Sequence, residues 1–177
     1  YIQNPRHIEV QVVGDSFGNV IHIGERDCSM QRRHQKLIEE SPAILLDEKT
    51  RARLHETAVK AAKAIGYEGA GTFEFLVDKN LDFYFIEMNT RLQVEHCVSE
   101  MVSGIDIIEL MIKVAEGYAL PSQESIKLRG HSIECRITAE DSKTFLPSPG
   151  KITKYIPPAG RNVRMESHCY EGYAVPP

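Results

Sequence analysis

No hydrophobic run in the 177 residues approaches the roughly 18 that a membrane-spanning helix needs, and no basic-then-apolar opening resembles a signal peptide. A basic excess is missing too. Lys and Arg number 21 against 25 Asp and Glu, for a net charge of −4 and a pI of about 6.0, which argues against nucleic acid as the main partner. The four cysteines (Cys28, Cys97, Cys135, Cys169) lie far apart, with no CxxC and no clustered histidine at zinc spacing. They read as reduced, mostly structural thiols of a cytoplasmic protein. Internal repeats and low-complexity tracts are also lacking.

What is present is ordinary globular composition, 42% hydrophobic and 26% charged. The length fits one domain plus part of a second. The chain opens at Tyr1 and stops at Val175-Pro176-Pro177 without a polar tail. That pattern reads as a segment of a longer protein, against the alternative of a small processed one.

Ile8, Val10 and Val12 alternate with Glu9 and Gln11, which is strand periodicity, and Asp15–Asn19 supplies the turn to a returning strand at Val20–Ile23. Gly24–Lys36, dense in charge with no apolar period, reads as a loop or a short exposed helix. Asp47 is the expected N-cap of a helix to about Ile65, with Leu54, Ala58, Ala61 and Ile65 on one stripe. Gly71–Val77 and Asp82–Met88 read as a second hairpin, and Asp106 as the cap of a helix bearing Ile107, Leu110, Met111 and Val114. His131–Thr138 alternates as a strand, with Ile133, Cys135 and Ile137 opposite Ser132, Glu134, Arg136 and Thr138. Lys151–Ile156 and Val163–Glu166 are weaker strand candidates. The class expected is α+β with antiparallel hairpins, divided at a Pro/Ser-containing break into residues 1–121 and 122–177.

The chemistry-bearing anomaly is Glu74 in Thr72-Phe73-Glu74-Phe75-Leu76, since a carboxylate among phenylalanines is costly to bury without a cation. Glu87 occupies an equally apolar strand. A two-residue turn at Asn80-Leu81 would set the two carboxylates opposite each other; a three-residue loop without a bulge would put them on opposite faces. Converging, they form with the amide oxygen of Asn89 a hard oxygen site suited to magnesium and phosphates. Spacing alone leaves equally open one Glu on each strand's solvent face. If Arg91–Glu95 is extended, Arg91, Gln93 and Glu95 project to one side, a fork for a small planar anion beside a candidate base; the alternative is a polar surface loop. Gln31–Lys36 either cradles phosphates or is a solvated basic segment. Arg136 beside Glu134 reads by default as a cross-strand ion pair.

Taken together, six strings resemble the biotin carboxylase family of ATP-grasp enzymes: Asn4-Pro5-Arg6-His7, Glu25–Lys36, Gly69–Phe75, Phe85–Arg91 with Gln93-Val94-Glu95-His96, Glu134–Ile137, and Phe145–Gly150. The resemblance implies the later lobe of an ATP-grasp fold (1–121) followed by the incomplete start of the biotin carboxylase C-terminal domain (122–177). It implies carboxylation of biotin on biotin carboxyl carrier protein, using ATP and bicarbonate through carboxyphosphate. This is the first half-reaction of acetyl-CoA carboxylase in fatty acid synthesis, or of a pyruvate or acyl-CoA carboxylase. Matched residue by residue, Glu74, Glu87 and Asn89 would hold Mg2+ or Mn2+. Ile2, His7, Gln31, His34, Glu74 and Glu87 would meet ATP. Lys36, Arg91, Gln93 and Val94 would surround bicarbonate, Glu95 would be its base, and Arg136 would stabilise the biotin enolate; Lys36 and Arg91 would be catalytic as well. Implied partners are the carrier protein, carboxyltransferase subunits and a second copy in a homodimer, with no nucleic acid or membrane. Cys97 stands where the family commonly has Pro, which loosens the loop by Glu95 without removing a catalytic group. No Gly-rich phosphate loop or small-lobe lysine is present, so the segment is expected to be inactive alone. Two other readings remain: a different ATP-grasp ligase, and a non-catalytic oligomerisation or carrier-docking module.

Overall fold

The computed structural model describes residues 1–176; Pro177, the last residue of the expected second segment, lies outside the described residues. The chain divides into two compact units, Tyr1–Arg136 and Ile137–Pro177. The first is built on a six-stranded antiparallel sheet of β1 (Arg6–Gly14), β2 (Val20–Arg32), β3 (Gln35–Ser41), β4 (Gly69–Val77), β5 (Phe83–Asn89) and β6 (Ser132–Cys135). Their spatial order is β5-β4-β1-β2-β3-β6. Helices α1 (Glu48–Ala64), α2 (His96–Ser103) and α3 (Ile107–Ala115) complete it, with a 3-10 turn at Gln123–Ser125.

The central strand β1 decides the layering, because its two faces differ. Ile8, Val10 and Val12 are fully buried in a cluster with Leu54, Ala58 and Ala62 of α1 and Phe73, Phe75 and Val77 of β4. This is the stripe and alternation expected for a helix laid on a sheet. Asp47 caps α1 by accepting from Thr50 N at 2.7 Å. The other face of β1 carries His7, Glu9, Gln11 and Val13. Only Val13 joins an apolar cluster, with Ile21, Ile23, Ala70 and Ile107 and Val114 of α3. The rest of that face is polar, with Glu9 and Gln11 fully buried and His7 half-buried.

Three sequence expectations are corrected. Gly24–Lys36 is neither loop nor helix: β2 and β3 run through it, joined at Arg33-His34. Both turn residues have positive φ (52° and 65°), the signature of a two-residue turn that matches strand twist. An apolar period is lacking there because the strand's inward polar groups are paired rather than replaced by hydrocarbon. Arg91–Glu95 is not extended; it turns into α2, which the polar composition had hidden, with Glu95 (φ −74°, ψ 7°) as its first cap. The hairpin β4–β5 sets Glu74 opposite Glu87, one of the two registers foreseen, but not through the two-residue turn expected to give it. A three-residue loop, Lys79–Leu81, is closed by Asp78 N to Asp82 O at 2.9 Å, with Leu81 at φ 63°. The pairing then slips between Phe75↔Phe85 and Glu74↔Glu87, leaving Ile86 as a bulge that restores the two carboxylates to one face.

Among its described residues the second unit pairs Gly150–Lys151 (β7) with Ala174–Val175 (β8) and adds one isolated antiparallel bridge, Glu140 to Pro147. Lys151–Ile156 is thus strand only at its first residue, and Val163–Glu166 forms none. No described residue from 137 to 176 is buried, so hydrocarbon burial does not support longer strands there.

Candidate active site

Antiparallel register assembles the site. Glu9 of β1 lies opposite Glu74 of β4 on one side and Arg26 of β2 on the other, while Glu74 lies opposite Glu87 of β5. A transverse row of charged side chains therefore crosses the sheet. An open cavity of about 440 Å3 lies over it. It is lined by His7, Gln31, His34, Lys36, Glu74, Glu87, Asn89, Arg91, Gln93, Val94, Glu95 and Arg136, with Arg33 and Gln35 at the turn. Of the site residues that the resemblance implies, only Ile2 lies outside this lining.

Lys36 is the hub. Its Nζ donates to Glu9 Oε2 at 2.5 Å, Glu95 Oε1 at 2.7 Å and Glu74 Oε1 at 3.0 Å. Burial alone would lower its pKa, but the charges of Glu9 and Glu95 outweigh that and hold it well above the ordinary lysine value. Glu95, 2% exposed, accepts from Lys36 and, through Oε2, from Arg136 Nη2 at 2.8 Å. Burial pushes the Glu95 carboxyl up; the Lys36 charge and hydrogen bond, with the Arg26 charge, reverse this and lower it. It is an ionised carboxylate. Arg136 also donates Nε to Glu39 Oε1 at 2.8 Å, so its partners are Glu39 and Glu95 rather than the neighbouring Glu134.

Glu74 collects four donors. Its Oε1 accepts from Asn89 Nδ2 (2.8 Å), Gln93 Nε2 (2.9 Å) and Lys36, and its Oε2 meets His7 Nε2 at 2.5 Å. Desolvation opposes its ionisation, yet the His7 hydrogen bond and Lys36 bring the pKa down to about 2. Gln31 Nε2 donates to the Cys28 carbonyl at 2.7 Å and therefore meets His7 Nδ1, 2.8 Å away, as a donor. That leaves the His7 Nε2 proton facing Glu74. Glu87 is exposed on the same face and accepts from Asn89 Nδ2 at 3.3 Å. Two carboxylates and a carboxamide converging at the open side of the cavity fit a hard divalent cation shared with phosphate oxygens. Arg91 and Val94 are exposed at the rim, and the Arg91 guanidinium reaches Leu92 O at 3.2 Å. His34 is exposed in the β2–β3 turn.

The sequence reading missed the layer beneath. Arg26 is fully buried and uses all five N–H donors. They go to Glu9 Oε1 (2.5 Å), Gln11 Oε1 (2.8 Å), Ser99 Oγ (3.0 Å), Gln93 Oε1 (3.1 Å) and Thr72 Oγ1 (3.2 Å). By claiming the oxygen of the Gln93 amide, Arg26 turns its nitrogen toward Glu74. The available signal was parity: Glu9 and Gln11 share the face of β1 that their strand alternation opposes to valine.

Known proteins resemble both parts of the chain. Residues 1–123 match the family model described as carbamoyl-phosphate synthase L chain, ATP binding domain, and residues 134–177 match the biotin carboxylase C-terminal domain. A relative from Pseudomonas aeruginosa, named biotin carboxylase, is 58% identical over 178 residues, covering 100% of this chain and 39% of that protein. A crystal structure of a biotin carboxylase β,γ-ATP complex from Campylobacter jejuni superposes with TM-score 0.98 at 95% identity, covering 99% of this chain and 40% of that one. The biotin carboxylase domain of Hydrogenobacter thermophilus 2-oxoglutarate carboxylase, in complex with MgADP, ADP and bicarbonate, gives TM-score 0.97 at 54% identity, covering 100% and 40%. This chain thus spans about two fifths of these relatives' length.

Proposed function

The chain belongs to the family of the carbamoyl-phosphate synthase L-chain ATP-binding domain and, within it, to the biotin carboxylases; from that premise we propose that the protein containing it carboxylates biotin at the expense of ATP and bicarbonate. The observation that carries this reading is the Lys36–Glu95–Arg136 chain of ion pairs, set beside Glu74, Glu87 and Asn89 in one cavity.

In this proposal Glu74, Glu87 and Asn89 hold Mg2+ or Mn2+. The bound cation neutralises phosphate charge during phosphoryl transfer. His7, Gln31 and His34, with the chain near Ile2, flank the nucleotide. Lys36, Arg91, Gln93 and Val94 enclose bicarbonate, whose planar carboxylate suits the Arg91 fork. An incoming anion competes with Glu95 for Lys36 and Arg136. As those two cations turn toward it, the positive charge that holds the Glu95 pKa down is drawn away and its carboxylate becomes basic enough to take the bicarbonate proton. Arg136, released in part from Glu95, is positioned to stabilise the anion that develops on the biotin ring.

Residues 1–121 act here as the later lobe of the ATP-grasp domain and 122–177 as the opening of the C-terminal domain; the two family-model ranges support that division. The proposed setting is a cytoplasmic acetyl-CoA carboxylase with a carrier protein, carboxyltransferase subunits and a homodimeric carboxylase. No helix among the described residues is long and apolar enough to cross a membrane. Purifying the full-length protein with its partners, and finding which acyl group becomes carboxylated, tests that setting.

The test of the chemistry is ATP cleavage by the full-length protein that requires bicarbonate and rises with free biotin. An ATP-grasp ligase acting on another acid would show neither dependence. Glu95→Gln should lower turnover by about 100-fold or more, the usual worth of a positioned general base. Unchanged turnover would remove Glu95 from the role.

A further inference from the structure

Beneath Arg136 lies a feature that the proposed reaction does not use. β3 and β6 pair antiparallel with Glu39 directly opposite Glu134, which brings the two side chains onto one face. Glu39 is fully buried. One of its oxygens, Oε1, is met by Arg136; its Oε2 has no partner, and neither does Oε2 of Glu134. Two orphaned, buried carboxylate oxygens on directly opposed residues are costly as a pair of anions. A single proton removes both deficits, since one carboxylic O–H then donates to the facing oxygen. From this geometry we propose that Glu39 and Glu134 form a carboxyl–carboxylate pair holding one proton, and that the proton keeps Arg136 turned to the cavity, available to Glu95 and to the anion that develops there.

The surroundings agree in sign. Burial and the facing Glu39 charge raise Glu134 to about 7, against the opposing pull of Arg136, and burial also raises Glu39. The charged groups facing the pair are Arg136 just after β6, Glu95 ahead of α2, Arg26 on β2 and Glu9 on β1. Helix α2, which packs on β6, contributes His96, Cys97 and Glu100. His96 Nδ1 lies 2.8 Å from Gln93 O, and Glu100 Oε1 accepts from Ile107 N at 2.6 Å. Loss of the proton adds a full negative charge next to the guanidinium. Arg136 then answers the pair instead of Glu95 and the anion developing above it. Glu134 is thus a positioning residue acting through Glu39 and Arg136. The kinetic half of this inference rests on the biotin carboxylase reading; the proton-sharing half does not.

Two measurements on the full-length protein separate them. Carboxyl titration by carbon-13 NMR on glutamate-labelled protein should reveal one glutamate titrating near neutrality, absent from both Glu134→Gln and Glu39→Gln. If no glutamate instead titrates above the ordinary 4.3, or the neutral one survives in Glu134→Gln, the pair is disproved whatever the enzyme does. Bicarbonate-dependent ATP cleavage stimulated by biotin should fall by about tenfold in kcat as the proton leaves, comparable to losing one charge-assisted hydrogen bond. Glu134→Gln, whose amide donates to Glu39 in the proton's place, should hold the low-pH rate across the range, whereas Glu134→Ala should not. A wild-type-like pH profile in Glu134→Gln would refute the positioning role. Should Glu39→Gln fail to fold, Glu134→Gln alone decides both questions.

Discussion

At the scale of single residues, the site is a charge lattice in which every group's state depends on its neighbours. Arg26 carries the most, because its five acceptors come from three different elements and from the Gln93 turn. A lysine offers three donors from a point charge, so Arg26→Lys strands at least two buried acceptors. The expected cost is about 2–4 kcal/mol, read as a lower urea midpoint with an unchanged slope. The same substitution frees the Gln93 amide to flip and should raise the bicarbonate KM more than it lowers kcat. Glu74 and Glu87 stood out in the sequence because carboxylates interrupt phenylalanine runs. Glu9 and Arg26 did not, because a charged residue alternating with valine also describes a half-exposed strand. Only contact with each other explains how both remain 0% exposed.

At the scale of elements, strands with a hydrocarbon face packed into the core were legible and strands dense in charge toward the cavity were not. β1 and β4 show alternation or aromatic density and stood where their patterns indicated. β2 and β3 place Arg26, Asp27, Gln31 and Lys36 in or beside the site, so hydrophobic periodicity fades where the chemistry is densest. β6 inverts the usual rule: its apolar Ile133 is 62% exposed while its Glu134, and Arg136 just past its end, turn inward. Element junctions carry their own constraint. A Cβ on Gly14, at the end of β1, would lie 1.9 Å from the Tyr67 carbonyl oxygen, and backbone cannot yield as a side chain tip does. Gly14→Ala should therefore destabilise by about 3 kcal/mol, at the upper end of overpacking costs, measured by thermal or urea unfolding.

For the molecule as a whole, buried ionisable groups set a pH window of stability. His22 stacks on His55 with ring centroids 4.1 Å apart, and burial with the His55 charge lowers its pKa from 6.5 to about 4, against Glu25. The unfolded chain binds that proton more readily, so the His22 contribution is lost as pH falls from 6.5 through 4. The Glu74 contribution follows between 4.5 and about 2, where the folded carboxylate resists a proton that the unfolded one accepts. The melting temperature should fall in these two successive steps on acidification. His22→Phe should flatten the first and leave the second; a single step beginning only below 4.5 in wild type would contradict the assignment. The sequence by itself determined the α+β class, both capped helices, the family and the set of residues that surround the cavity. Those follow from local rules and from residue order along the chain. The tertiary structure alone decided that a bulge at Ile86 returns Glu87 to the face of Glu74, that Arg26 and Glu9 underlie the site, and that Glu39 faces Glu134. Each is a matter of register between strands distant in sequence, where a slip of one residue moves a charge from one face of a sheet to the other.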